Sequence, residues 1–129
     1  MDNNFDQYFI LNDDFCYKNV DLVRIIDGDT IVCNIHLGFG LVKLNQIIHL
    51  YAIDTPELRG KEKIEGKIAK NALIDFLKNR NIKIYTIEHK KSDLFDKYGR
   101  LLGIIVDKDT NENINLKLLI ENYAVLKIF

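Results

Sequence analysis

The scarcity of three features narrows this sequence first. The two cysteines, Cys16 and Cys33, stand apart with no CxxC pairing. That offers no disulfide framework and argues against a Cys/His zinc cluster, and both residues read as small hydrophobes in a reducing compartment in preference to a disulfide pair. Long hydrophobic runs are missing too: the apolar stretches are short and broken by charge, and residues 1 to 14 are acidic. Neither a membrane span nor a secretory leader is therefore expected, and a cytosolic location follows by default. Proline occurs once in 129 residues, at Pro56, and there are no repeats or low-complexity tracts. With 47% hydrophobic residues, the chain reads as one domain with a real core over residues 17–129, preceded by an acidic arm over residues 1–16.

That single proline marks the most informative stretch. Asp54-Thr55-Pro56-Glu57 follows the apolar run Ile47 to Ile53. The proline ring fixes its own φ and drives Thr55 out of helical geometry, so a strand stops here and leaves two acids in a rigid turn. Asp54 and Glu57 can then face one small volume, which suits a hard metal ion, a general base, or both.

A formal net charge of −1 conceals an asymmetry. Residues 1–58 hold three Lys/Arg against nine Asp/Glu, whereas residues 59–129 hold fifteen against ten. The sign changes just after Glu57, so an acidic cluster is followed by basic sequence that suits a polyanion, although Lys61 to Lys70 read equally well as a solvated helix face.

Periodicity supplies the elements. Strands are expected from Tyr17 to Ile26, Thr30 to Leu37, Leu41 to Ile53 with a bend near Asn45-Gln46, Ile82 to Glu88, and Arg100 to Val106. The first pair joins at Asp27-Gly28, a hairpin signal in which Gly28 is expected to supply a positive φ. A helix over Lys61 to Asn79 is expected to bury Ile64, Ile68, Ala69, Ala72, Leu73, Phe76 and Leu77, with Gly66 inside it for close backbone approach. A short helix from Asn115 to Glu121 should bury Leu116, Leu119 and Ile120, with Asn122 closing it in left-handed geometry. The fold class expected is α+β, mainly β: a five-stranded barrel of the oligonucleotide-binding type, with a long helix after the third strand and a short C-terminal helix.

Four motifs in order, Val23 to Thr30 with Asp27-Gly28-Asp29-Thr30, Leu50 to Glu57, Asp96-Lys97-Tyr98-Gly99-Arg100, and Asn115 with Leu118-Leu119, together resemble the thermonuclease or staphylococcal nuclease family. The resemblance covers about Tyr17 to Phe129. It implies a calcium-dependent phosphodiesterase that cleaves DNA and RNA, single- or double-stranded, as a monomer with no membrane role. By the same resemblance, Asp29, Asp54 and the Thr55 carbonyl bind Ca2+, Glu57 activates the attacking water, and Arg100 grips the phosphate. Lys97 and Tyr98 match positions that contact a nucleotide's terminal phosphate and its sugar or base.

His49 is the main departure from that pattern, since it occupies the place of a second phosphate-gripping arginine. An imidazole offers one donor and at most one titratable charge, where a guanidinium offers a fixed fork and a permanent charge. Two readings of His49 stay open: a weaker phosphate contact, which leaves an attenuated nuclease, or a filler in a retired site, which leaves a barrel that binds nucleic acid or a protein without cutting. On the first, His49→Arg should raise activity. The loop after Glu57 is also short for the family, and Asn122 stands where glycine is common.

Overall fold

The computed structural model describes residues 5–87 and 101–127. Eight strands and two helices run in the order β1 (Cys16–Tyr17), β2 (Val20–Asp27), β3 (Thr30–Gly38), β4 (Leu41–Leu50), β5 (Ile53–Asp54), α1 (Lys63–Leu77), β6 (Ile82–Thr86), β7 (Leu101–Asp107), α2 (Ile114–Ile120) and β8 (Val125–Leu126). Six strands form one sheet in the order β1-β6-β7-β4-β3-β2, and β5 with β8 make a separate two-stranded ribbon. The expected count of five is therefore corrected. The first expected strand breaks at Lys18-Asn19, so that Tyr17 pairs with Ile84 and Val20 with Ile35, on strands far apart in the sheet. The sheet is not closed by a continuous ladder, yet its two edges are consecutive in the chain and separated by only two residues, which curls it toward an oligonucleotide-binding barrel.

The third expected strand is also divided. β4 ends at Leu50, and Ala52 turns the chain at φ 67° before β5 begins. The bend anticipated near Asn45 is real: Asn45 sits at φ 53°, its N–H donates to Asn34 Oδ1 at 2.8 Å, and the β3–β4 register shifts there. β4 pairs in parallel with β7 through Ile48, His49 and Leu50, which carries the last turn of β4 into the core.

Gly28 needs a different explanation from the one its turn suggests, because its φ is not positive. A register shift between Ile25 and Asp27 accommodates the hairpin, and glycine is required for space: a Cβ there would lie 2.7 Å from Ala69 Cβ and 2.9 Å from Thr55 Oγ1. α1 thus packs directly on the hairpin that bears Asp29. Gly66 answers the same demand one turn earlier, since a methyl there would lie 2.6 Å from the Glu57 carbonyl carbon.

These approaches decide which face of α1 is buried. Gly66, Ala69, Ala72, Leu73 and Leu77 are inside, whereas Ile64 and Ile68 are 73% and 51% exposed, against expectation. Small residues face inward because the helix lies too close to the hairpin and the Glu57 turn for isoleucine to fit. Asn79 ends the turn after the helix at φ 59°.

Similarly, α2 buries Ile114, Asn115, Leu118 and Leu119 and leaves Ile120 exposed. Asn115 sets its rotation. Its amide donates to the carbonyls of Tyr51 and Gly103 at 3.1 and 3.0 Å, and its oxygen accepts from Ile105 N–H at 3.0 Å. Ile120, five residues on, points about 140° away at 3.6 residues per turn. Asn122 closes the helix at φ 66°, as the sequence suggests. The N-terminal segment is tied down: Phe9 is buried in the core, with Phe5 and Tyr8 packed against it. Cys33 is buried and pushed up to about 12 by that burial, Cys16 is half-buried, and both are free thiols.

Candidate active site

Asp29 occupies the tip of the β2–β3 hairpin, where Asp27 pairs with Thr30. Its carboxylate is buried, the side chain only 7% exposed, with β4 and the Thr55 turn against it. Three backbone contacts locate it: its own N–H donates to Asp27 Oδ1 at 3.2 Å, its carbonyl accepts from Leu50 N–H at 2.8 Å, and Oδ2 accepts from Thr55 N–H at 3.1 Å. Oδ1 accepts from the Thr30 hydroxyl at 3.0 Å. Burial, reinforced by the Asp27 carboxylate, raises the Asp29 pKa from 3.8 to about 7, against the opposing pull of the Thr55 N–H and the Thr30 hydroxyl.

His49 stands opposite Thr30 in the β3–β4 ladder. It is only 4% exposed, and its Nδ1 lies 3.5 Å from Thr30 Oγ1 and 3.9 Å from Asp29 Oδ1. Among the described residues, no lysine or arginine reaches Asp29.

The Thr55 N–H joins this hairpin to the proline turn. Asp54 is exposed at the end of β5, held by pairing with Val125 of β8, and it lines a depression of about 240 Å³ with Thr55, Pro56, Glu62 and Tyr123. Glu57 follows Pro56 with its side chain 69% exposed, and its N–H is fixed by Glu62 Oε1 at 3.0 Å. An Arg59 contact at 3.9 Å is fully in solvent and adds little. The arrangement therefore has one buried carboxylate, Asp29, one exposed carboxylate, Asp54, next in the chain to the Thr55 that bonds it, and a solvent-facing glutamate on a backbone pinned from two sides.

A family model described as staphylococcal nuclease homologue matches residues 47–129, from the end of β4 onward and well over half of the chain. The chain belongs to the staphylococcal nuclease family. No curated protein matches it. For this nuclease-family domain, the match begins after β3, so Asp29 lies outside it, and the hydrogen bond from Thr55 to Asp29 is what brings the hairpin to the matched turn.

Of the residues singled out from the sequence, the structure brings Asp29, His49 and Thr55 into contact and sets Asp54 and Glu57 on the adjoining turn. Lys97, Tyr98 and Arg100 lie outside the described residues, as does His89. His36 is a surface residue, paired with Asp21 at 2.7 Å. Sequence reasoning missed the parts played by Thr30, Asp27 and Glu62. Thr30 directly follows Asp29 in the quoted motif, but its role emerges only from the ladder that faces it with His49. Asn115 belongs to the fourth motif, but the motif assigns it no contact; it clasps the Tyr51 carbonyl just before the site.

No three His, Cys, Asp or Glu side chains among the described residues converge as a cage. A hard cation that accepts backbone carbonyls and water does not need one. What the donor set offers is a buried carboxylate whose charge no lysine or arginine among the described residues compensates, with one hydrogen bond accepted on each of its oxygens. That chemistry fits a divalent cation held by oxygen.

Proposed function

We propose that this domain is a calcium-dependent phosphodiesterase that hydrolyses DNA and RNA, with its rate lowered by the loss of one phosphate-gripping arginine. The observation that carries the reading is the hydrogen bond from Thr55 N–H to Asp29 Oδ2, which unites a buried carboxylate seeking a cation with a turn that bears Asp54 and Glu57. Asp29, Asp54 and the Thr55 carbonyl supply oxygen ligands for Ca2+. Bound there, the ion would polarise a phosphate oxygen and lower the cost of charge building on it.

The remaining work belongs to the chain. Glu57, open to solvent and fixed at its backbone, takes the proton from the attacking water. Arg100 donates its planar fork to the phosphate as negative charge develops on it. It immediately precedes Leu101, whose ladder partner Ile48 neighbours His49. The excess of basic residues after Glu57, fifteen against ten, favours a polyanion. Lys97 and Tyr98 serve the nucleotide beyond the scissile bond.

Digestion of single-stranded DNA in calcium or EDTA across pH tests this reading. Calcium-dependent cleavage should fall by about a hundredfold or more in Glu57→Gln and Arg100→Ala. No cleavage at any pH, with calcium saturating and the fold intact, overturns it. The burial of His49 favours one second reading, a barrel that holds nucleic acid without cutting it. Salt-dependent binding without turnover, indifferent to Glu57→Gln, would establish that alternative.

A further inference from the structure

His49 stands where a phosphate contact would be expected, yet it is withdrawn from solvent. Its side chain is 5% exposed, and β4 places it in register with Thr30 on β3. Its Nδ1 is aimed instead at the Thr30 hydroxyl, 3.5 Å away, and that hydroxyl donates to Asp29 Oδ1 at 3.0 Å.

A hydroxyl has one proton and two lone pairs. With its proton committed to Asp29, Thr30 Oγ1 can only accept from His49, which sets the imidazole tautomer with the proton on Nδ1. The result is a directional chain from His49 Nδ1–H to Thr30 Oγ1–H to Asp29 Oδ1. The other carboxylate oxygen is held by Thr55 N–H. Both oxygens are thereby fixed in plane, each with a lone pair to spare.

We propose that His49 is a positioning residue for the Asp29 carboxylate, acting through the Thr30 hydroxyl, and that it makes no contact with the phosphate. This inference rests on the calcium-site reading given above. Groups that orient metal ligands through a hydrogen bond typically change affinity by 10–100-fold when removed. The relay also explains how a histidine is retained at a place suited to arginine: it serves the metal side of the site while the phosphate side is left to Arg100.

The test is calorimetric titration of the whole chain with CaCl2, without nucleic acid, on wild type, His49→Leu, His49→Asn, His49→Arg and Thr30→Val. Binding of an oligodeoxynucleotide in EDTA and a thermal melt accompany each titration. His49→Leu and Thr30→Val should each weaken calcium binding by about tenfold or more. His49→Asn places an amide N–H where Nδ1 was, and should stay within about threefold of wild type while its melting point need not recover. His49→Arg should lose calcium affinity, and oligonucleotide affinity in EDTA should be unchanged by the leucine variant.

Calcium affinity equal to wild type in both His49→Leu and Thr30→Val overturns the proposal. So does an Asn variant as weak as Leu, or a wild type that binds no calcium. If the affinities follow the expected series and DNA still is not cleaved, the positioning role stands and the nuclease reading falls.

Discussion

Replacing Asp29 by asparagine should make this protein more stable at neutral and alkaline pH while depriving it of its metal. The Asp29 pKa is raised from 3.8 to about 7, chiefly by burial. In a group whose folded pKa is raised, the native state holds its proton more tightly than the unfolded chain does. Its stabilising effect is complete below about pH 4 and is lost as pH rises through 7. A difference of about three pH units corresponds to about 4 kcal/mol between the protonated and ionised forms. Asparagine imitates the protonated acid: its oxygen can accept from Thr55 N–H, and its amide can donate to Thr30 Oγ1 or Asp27. Without calcium, Asp29→Asn should therefore exceed wild type by about 4 kcal/mol at pH 8, by under about 2 kcal/mol at pH 5, and by nearly nothing at pH 3. Urea denaturation followed by circular dichroism measures this directly. Calcium should then raise the stability of wild type at pH 8 in proportion to the logarithm of its concentration and leave the asparagine variant flat. A variant less stable than wild type at pH 8 in EDTA would refute the reasoning, since Asp29 would then be ionised at no cost.

Glu57→Gln and Arg100→Ala should each lower kcat by about a hundredfold or more with urea midpoints unchanged, as measured by release of acid-soluble nucleotide. Gly66→Ala brings a methyl onto the Glu57 peptide and should cost about 2 kcal/mol or more in urea denaturation, although alanine is the better helix former. Ile64→Lys, at an exposed position, should change stability by less than about 0.5 kcal/mol; a loss of several kcal/mol would show that this face of α1 is covered in solution. Asp107 behaves oppositely to Asp29. The Thr110 N–H, with Asp109 N–H and Arg80, holds its pKa below the usual 3.8, so its contribution is present above that value and lost as pH falls through the native pKa. Asp107→Asn should thus be less stable than wild type at pH 7 and converge with it in strong acid, as read from urea midpoints across pH.

The parts of this molecule that were legible in its sequence are those fixed by local chemistry. Pro56 closes off β5, which ends at Asp54, and Asn45 and Asn122 adopt left-handed geometry where a bend and a helix end are expected. Gly66 also announced a close approach, which proved to be the Glu57 peptide. The misreadings arose where tertiary contact overrides periodicity. Ile64 and Ile68 satisfy a helical apolar stripe, but the nearness of the hairpin gives that place to glycine and alanine. Gly28 matched a turn signal, yet it is needed for space against Ala69 and Thr55. The candidate site divides in the same way. Its carboxylates were visible as motifs, whereas the contact of Thr30 with His49, nineteen residues on, depends on the register of the β3–β4 ladder, which no local pattern displays.

The contact between Gly66 and the Glu57 peptide gives α1 the part of a gauge. Backbone lies against backbone there, with no side chain between them to change rotamer and absorb a displacement. Leu73 and Leu77 anchor the same helix in the core, up to about 16 Å further along its axis at 1.5 Å per residue. A tilt begun at that buried end would arrive undamped at the peptide carrying the candidate base. Repacking the core beneath the helix would therefore alter the aim of Glu57 before it altered the integrity of the fold.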